Sequence, residues 1–148
     1  MVNKLNDIVW LMNPEQDSLQ KLIQRLEEYA RAMAGIKNMQ VSVDLSPGME
    51  EQTLPLGKRR NIYLFCKEAI NNAVKYSEGT LLELRIRASG ATIEFAIGDN
   101  GKGFDAIMVR RGNGLDNMQQ RADEIGATLS LQSGKEKGAV VSIQLKNS

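Results

Sequence analysis

Two pairs of apolar runs, each joined by a short turn containing glycine, place the first limit on how this chain can fold. Leu81 to Ala88 and Thr92 to Ile97 flank Ser89-Gly90-Ala91, while Thr128 to Ser133 and Ala139 to Leu145 flank Gly134-Lys135-Glu136-Lys137-Gly138. Runs joined this tightly pair as antiparallel neighbours. A further alternating run, Val41, Val43 and Leu45 against Ser42 and Asp44, reads as a strand with one buried face before the turn residues Ser46-Pro47-Gly48. Such a sheet needs a cover for its apolar face, and the rest of the chain supplies helices.

Leu19, Leu22, Ile23, Leu26, Tyr29, Ala30 and Met33 form one stripe of a helix expected from Glu15 to a stop at Gly35. From near Leu56, the residues Ile62, Tyr63, Phe65, Cys66, Ala69, Ile70, Ala73 and Val74 give a second helix a broad apolar face, ending between Tyr76 and Gly79. Asp116 to Ile125 is a third, with Gly126 as its stop. Ahead of these, Leu5, Ile8, Val9 and Met12 recur at helical spacing until Asn13-Pro14 interrupts. The fold class expected is an α/β two-layer sandwich: a mixed, mostly antiparallel sheet with helices on one face, preceded by an N-terminal helical segment. A doubly wound parallel sheet is disfavoured by the hairpins.

Composition excludes several kinds of chemistry. With 148 residues, 42% of them hydrophobic, the chain can close its own core. Nineteen Lys and Arg against eighteen Asp and Glu leave a net charge of +1, without the basic excess of a protein that binds nucleic-acid phosphates. No nucleic-acid partner is expected. The absence of His rules out a Ser-His-Asp triad, a His-ligated zinc site and a phosphoacceptor imidazole within these residues. The lone Cys66 cannot form an internal disulfide and fits a reducing compartment. No run approaches the ~20 apolar residues that span a bilayer.

Three segments carry candidate chemistry. The central helix places Glu68, Asn71, Asn72 and Lys75 among apolar neighbours; Glu68 and Asn72 stand four apart and Asn72 and Lys75 three apart, so their side chains share one face. An amide oxygen from Asn72 suits a hard cation that keeps waters and phosphate oxygens, Lys75 adds positive charge, and Glu68 can hold a cation-bound water or assist proton removal. Alone, this pattern reads equally well as a solvated helix face. Asp99-Asn100-Gly101-Lys102-Gly103 follows an apolar strand; a carboxylate there can accept a hydrogen bond from an exocyclic amine such as adenine's, and an Asp-Asn-Gly turn is the plainer alternative. Gly112-Asn113-Gly114-Leu115 opens a helix whose N-terminal amides attract phosphate oxygens, and it also serves as an ordinary loop end. Five glycines between 98 and 114 free this backbone to approach a ligand. Neither a dinucleotide fingerprint nor a Walker motif is completed.

In order and spacing, the three segments resemble the nucleotide-binding motifs of the GHKL ATP-binding superfamily, which includes bacterial histidine kinases, type II topoisomerases, ninety-kilodalton heat-shock chaperones and mismatch-repair ATPases. Glu68 to Ser77 looks like the N box, Asp99-x-Gly101-x-Gly103 like the first glycine box, and Gly112-x-Gly114-Leu115 like the second. Gly112 to Ala122 is similar to the GxGLxxMxxRA signature of sensor histidine kinases related to the nitrate and degradation sensors. The resemblance covers residues 38 to 148. Asp7 to Pro14, followed by Asp17-Ser18-Leu19, also resembles the end of the dimerisation and phosphoacceptor helix pair found in large regulators of gut Bacteroidetes.

The resemblance implies ATP and Mg2+ as ligands, with Asn72 helping to hold the metal and Glu68 acting near the gamma-phosphate. It implies that Lys75 approaches phosphate, Asp99 binds the adenine amine, Tyr76 lies against the nucleotide, and Asn71, Gly101, Gly103, Gly112, Gly114 and Leu115 complete the site. Residues 1–35 are then a remnant of the dimerisation and phosphoacceptor domain with its linker, and 36–148 the ATP-binding catalytic domain. The activity implied is protein-histidine kinase, with the acceptor histidine outside this chain and a response-regulator receiver aspartate next in the relay. A homodimer is expected in the full-length protein, as is a cytoplasmic fragment whose full-length parent can be anchored in the inner membrane. The alternative is an anti-sigma-factor-like serine kinase or another GHKL nucleotide-binding module, whose activity would survive removal of the Trp10 to Tyr29 lead. In many relatives Gly-Thr stands where this chain has Gly138-Ala139, and the missing hydroxyl removes a water-mediated contact near the adenine.

Overall fold

The computed structural model describes residues 19–101, 114–134 and 138–146. Helix α1 (Leu19–Ile36) leads into β1 (Gln40–Leu45), a 3-10 turn (Met49–Glu51) and helix α2 (Leu56–Tyr76). Strands β2 (Leu81–Ser89) and β3 (Thr92–Asp99), helix α3 (Gly114–Glu124), and strands β4 (Thr128–Gly134) and β5 (Gly138–Lys146) complete the order. The helical piece read around Leu5 to Met12, with Trp10 and Asn13-Pro14, lies outside the described residues.

The five strands run in the order β1-β2-β3-β5-β4. Both expected hairpins form, and the pairs β2–β3, β3–β5 and β4–β5 are antiparallel. Only β1 lies parallel to its neighbour β2, because the chain between them crosses over through α2. The sheet is therefore mixed and mostly antiparallel.

Register aligns the apolar residues into rows across the helix-facing side. One row is Leu45, Ile86, Phe95, Ile143 and Leu129; the next is Val43, Leu84, Ile97, Val141 and Leu131. Slipping any strand by one residue would send its half of both rows into water, so burial fixes the pairing. The opposite face is polar. There Arg85 pairs with Glu83 at 2.7 Å, Gln144 bonds Glu94 at 2.8 Å, and Arg87 pairs with Asp44.

All three described helices pack into the same core. Helix α2 buries Ile62, Tyr63, Phe65, Cys66, Ala69, Ile70, Ala73 and Val74, the apolar face read from the sequence, and α3 contributes Met118 and Ala122. Helix α1 buries Leu19, Leu22, Ile23, Leu26, Tyr29, Ala30 and Ala34 in that cluster. Packing is thus continuous across the boundary expected after residue 35. The deletion expected to separate the two kinase readings therefore loses its meaning, since it would strip the core side chains Leu19, Leu22, Ile23, Leu26 and Tyr29 from either kind of protein.

The end of α1 also differs from expectation. Gly35 lies inside the helix, which runs to Ile36, and Asn38 takes the left-handed turn at φ 57. The Met39 amide donates to the Ala34 carbonyl at 2.9 Å while the Met39 side chain is buried, so the apolar residue after the turn sets where the helix stops. No described helix is long and apolar enough to cross a membrane.

Candidate functional site

The two complete apolar rows are followed, at one end of the sheet, by a third that breaks the pattern. Its register is Val41, Leu82, Asp99 and Ala139. Asp99 thus occupies a position on the helix-covered face where strand alternation calls for an apolar side chain. Burial pushes its carboxyl above the ordinary carboxylate range, and backbone N–H groups of Gly101 and Ala139 partly offset this by donating to it. The Gly101 bond is 2.9 Å to Oδ1. These two donors fix the carboxylate's orientation and leave acceptor capacity for a further donor in front of it. Ala139, which lacks the expected hydroxyl, still serves the site through its main chain.

Asp99 is held by a joint between the end of β3 and the segment after α2. The Asn100 Oδ1 accepts from the amides of Thr80 at 2.8 Å and Leu81 at 2.9 Å, and its Nδ2 donates to Thr80 Oγ1 at 3.0 Å. The Gly79 amide donates to the buried Ser77 Oγ at 3.1 Å. The main chains approach too closely for side chains: a Cβ on Gly101 would fall 2.0 Å from the Ser77 carbonyl oxygen, and one on Gly138 would fall 2.0 Å from that of Asp99. Gly138 also stands at φ +82, which an L side chain tolerates poorly. Asn100, Ser77, Gly79 and Gly138 thus hold the joint beside Asp99, yet pattern reading singled out none of them as site residues. The available signal was Asn100 itself, since an Asn beside a strand end readily bonds nearby backbone.

Helix α2 carries the remaining candidates. At about 100° of rotation per residue, Asn71 and Asn72 diverge around the axis and Glu68 projects between them. Glu68, Asn71, Asn72 and Tyr76 are half-buried, Lys75 is exposed, and Tyr76 packs against the core. Asn71 accepts a 2.7 Å hydrogen bond from the Tyr29 hydroxyl of α1, which turns it toward that helix. Glu68 and Asn71 line one cavity of about 750 Å³ with Tyr29, Lys67, Asn117 and Arg121. Gly114 opens α3, Leu115 follows in its first turn, and Asp116 there complements the helix dipole. Gly103 and Gly112 lie outside the described residues.

Residues 57–148 match the family described as histidine kinase-, DNA gyrase B-, and HSP90-like ATPase. The chain belongs to this ATPase family. The fold class read from the sequence is the one observed. Sensor protein VraS of Staphylococcus saprophyticus is 32% identical over 117 residues, covering 74% of this chain and 34% of the relative. VraS of Staphylococcus aureus is 28% identical over the same length. The chain therefore spans about a third of the length of these curated relatives. Among solved structures, the Acinetobacter baumannii histidine kinase AdeS superposes with a TM-score of 0.72 at 14% identity, covering 97% of this chain and 75% of that one. A blue-light activated histidine kinase of Erythrobacter litoralis gives 0.70 at 23% identity, covering 88% and 42%. At these identities, the structures testify to the fold.

Proposed function

We propose that this chain is the ATP-binding domain of a sensor histidine kinase, which binds ATP with Mg2+ and presents the gamma-phosphoryl group to a histidine outside these residues. The observation that carries the reading is Asp99 in the third apolar row, a fixed carboxylate facing the helix layer with acceptor capacity left over. An adenine amine satisfies it, whereas guanine presents a carbonyl at that place and leaves a desolvated carboxylate without a partner, at a cost of about 1–3 kcal/mol. The site therefore selects adenine.

The phosphate end falls to the ridge of α2. Among the described residues no group of three His, Cys, Asp or Glu side chains can hold a metal by itself. Mg2+ is commonly held by one or two side chains together with phosphates and water, a need that an amide oxygen and a nearby carboxylate meet. Asn72, whose amide makes no hydrogen bond to another described residue, supplies a neutral oxygen, and Glu68 stands next to it around the helix. When bound, Mg2+ neutralises charge on the phosphates and so favours transfer. Lys75 adds a cation at the exposed rim, Tyr76 borders the nucleotide, and Gly101, Gly103, Gly112, Gly114 and Leu115 are the remaining nucleotide-binding residues of this reading. Glu68 receives or orients the proton of the incoming imidazole. The bond from phosphorus to the bridging oxygen of ADP breaks as the bond to the imidazole nitrogen forms, and the phosphoryl group is then available to a receiver aspartate. In the full-length protein, a homodimer brings the acceptor domain to this site, and the parent protein is anchored in the inner membrane with this domain in the cytoplasm.

The test is calorimetric titration of the chain with a non-hydrolysable ATP analogue and Mg2+, run beside the GTP analogue and repeated on Asp99→Ala and Asn72→Ala. Adenine-selective binding that both substitutions weaken supports the reading. Equal affinity for the two purines, or binding indifferent to Asp99→Ala, refutes it.

A further inference from the structure

Tyr29 lies on α1, outside every motif described above, yet it reaches into the site. It is 8% exposed, and its hydroxyl donates to Asn71 Oδ1 at 2.7 Å, joining two helices through residues 42 apart in sequence. The Lys67 ammonium stands 4.8 Å from the centre of the Tyr29 ring and 5.4 Å from that of Tyr63, so a cation joins one aromatic ring on α1 to one on α2. Tyr29, Lys67, Glu68 and Asn71 together border the cavity of about 750 Å³. A phenylalanine would fill the same apolar space; the tyrosine adds a directional bond where packing alone does not need one.

We propose that Tyr29 is a positioning residue: by holding the Asn71 amide, it fixes the α1 side of the ridge on which Glu68 stands, and thereby couples α1 to the phosphate end of the nucleotide site. The inference rests on the ATP-binding reading above. Its physical basis is the placement of Glu68 between Asn71 and Asn72 around the helix. Asn72 faces the proposed metal and Asn71 is tied to α1, so Glu68 has one neighbour belonging to each. Order imposed from the nucleotide side reaches α1 through this bond, and order imposed on α1 reaches Glu68 by the same route, because coupling between two sites is reciprocal. Since α1 is covalently continuous with residues 1–18, it is the element through which the preceding chain addresses the site.

Hydrogen exchange of the 148-residue chain, with and without a non-hydrolysable ATP analogue and Mg2+, tests this, with calorimetry on the same samples. In the wild type, the analogue slows exchange of amides in the last half of α1 by about fivefold or more beyond the slowing it gives the amides of β4, which report only stabilisation of the whole fold. In Tyr29→Phe, that slowing disappears while analogue affinity stays within about twofold of wild type. Combining Tyr29→Phe with Asn71→Ala changes the slowing no further than either substitution alone. A merely structural tyrosine would lower protection equally with and without nucleotide, leaving the ratio unchanged. Slowing that persists in Tyr29→Phe, or a wild type that binds the analogue without any change in α1, overturns the inference and leaves the ATP reading intact. A wild type that shows no calorimetric binding overturns both.

Discussion

Replacing Asn100 by alanine removes the side chain that ties the end of β3 to the chain leaving α2, and the consequence can be worked from three hydrogen bonds of 2.8, 2.9 and 3.0 Å. A net hydrogen bond contributes about 0.5–1.5 kcal/mol. Asn100 is exposed, so water takes over the abandoned amides and the low end applies, giving a loss of roughly 1.5 kcal/mol for the three. For a chain of this length that lowers Tm by roughly 3–6 °C. Asn100→Asp is the informative partner. Its carboxylate still accepts from the Thr80 and Leu81 amides, and the Thr80 hydroxyl can reverse to donate, so the change stays within about 0.5 kcal/mol. Urea denaturation followed by circular dichroism, with a constant slope against denaturant, measures both variants. If Asn100→Ala is as stable as wild type, or Asn100→Asp falls as far as alanine, the side-chain tie is not what holds this joint.

Asp99→Asn raises the stability of the unliganded chain at neutral pH. Burial has raised the folded carboxyl above its ordinary value of 3.8, so the folded state binds the proton more tightly, and stability from this group is greatest below that value and is lost as pH rises through the folded pKa. Thermal melts between about pH 3.5 and neutrality, compared between wild type and the Asp99→Asn variant, should converge toward acid; parallel curves would contradict the assignment. Gly101→Ala puts a Cβ 2.0 Å from the Ser77 carbonyl, and because that atom is backbone the joint has to open, costing about 1–3 kcal/mol and the binding of an ATP analogue. Wild-type affinity in that variant would show that the joint tolerates opening. Leu22→Ala, at a fully buried position of α1, costs about 2–5 kcal/mol in denaturant unfolding, whereas a loss under about 1 kcal/mol would mean that α1 is only loosely seated. Cys66 is buried in α2 and its thiol is pushed up by desolvation, so an alkylating reagent should label it only in denaturant.

Strands were legible because their cross-strand partners share one period: Leu82, Leu84 and Ile86 alternate with Glu83, Arg85 and Arg87, and the hairpin at Gly90-Ala91 closes where the pattern breaks. That Glu68, Asn72 and Lys75 lie along one side of α2 was legible because residues three and four apart on a helix share a side whatever lies around them. Helix ends were less so. Gly35 looks like a stop by composition, but the stop is decided by where Met39 finds its place in the core, a tertiary fact. The joint around Asn100 was hidden for the same reason. It depends on the chain at 77–81 meeting the chain at 99–101, and nothing in either stretch alone announces the other. Asn71 shows the limit most clearly: the family resemblance groups it with Asn72 in the nucleotide site, whereas its partner Tyr29 stands 42 residues upstream, on a helix read as belonging to a different unit.

The three rows of the sheet explain why site and core meet where they do. Two rows are apolar from edge to edge and lie on the helix-facing side; the third substitutes a carboxylate at β3, the point where the strand ends and the chain has to leave the sheet. A leucine there would extend the core by one row and improve packing, but it would offer nothing to a polar ligand. With Asp99, the unliganded chain keeps a partly desolvated charge, held by two backbone amides and less stable than a third apolar row would be. A ligand that donates to this carboxylate relieves that cost only in the folded state, so binding must stabilise the fold by mass action in proportion to how well the donor fits. On the ATP-binding reading, the same residue therefore lowers the stability of the empty site and raises the selectivity of the filled one. The close-packed joint at Asn100, Gly101 and Gly138 is what keeps Asp99 from escaping the conflict by swinging into water.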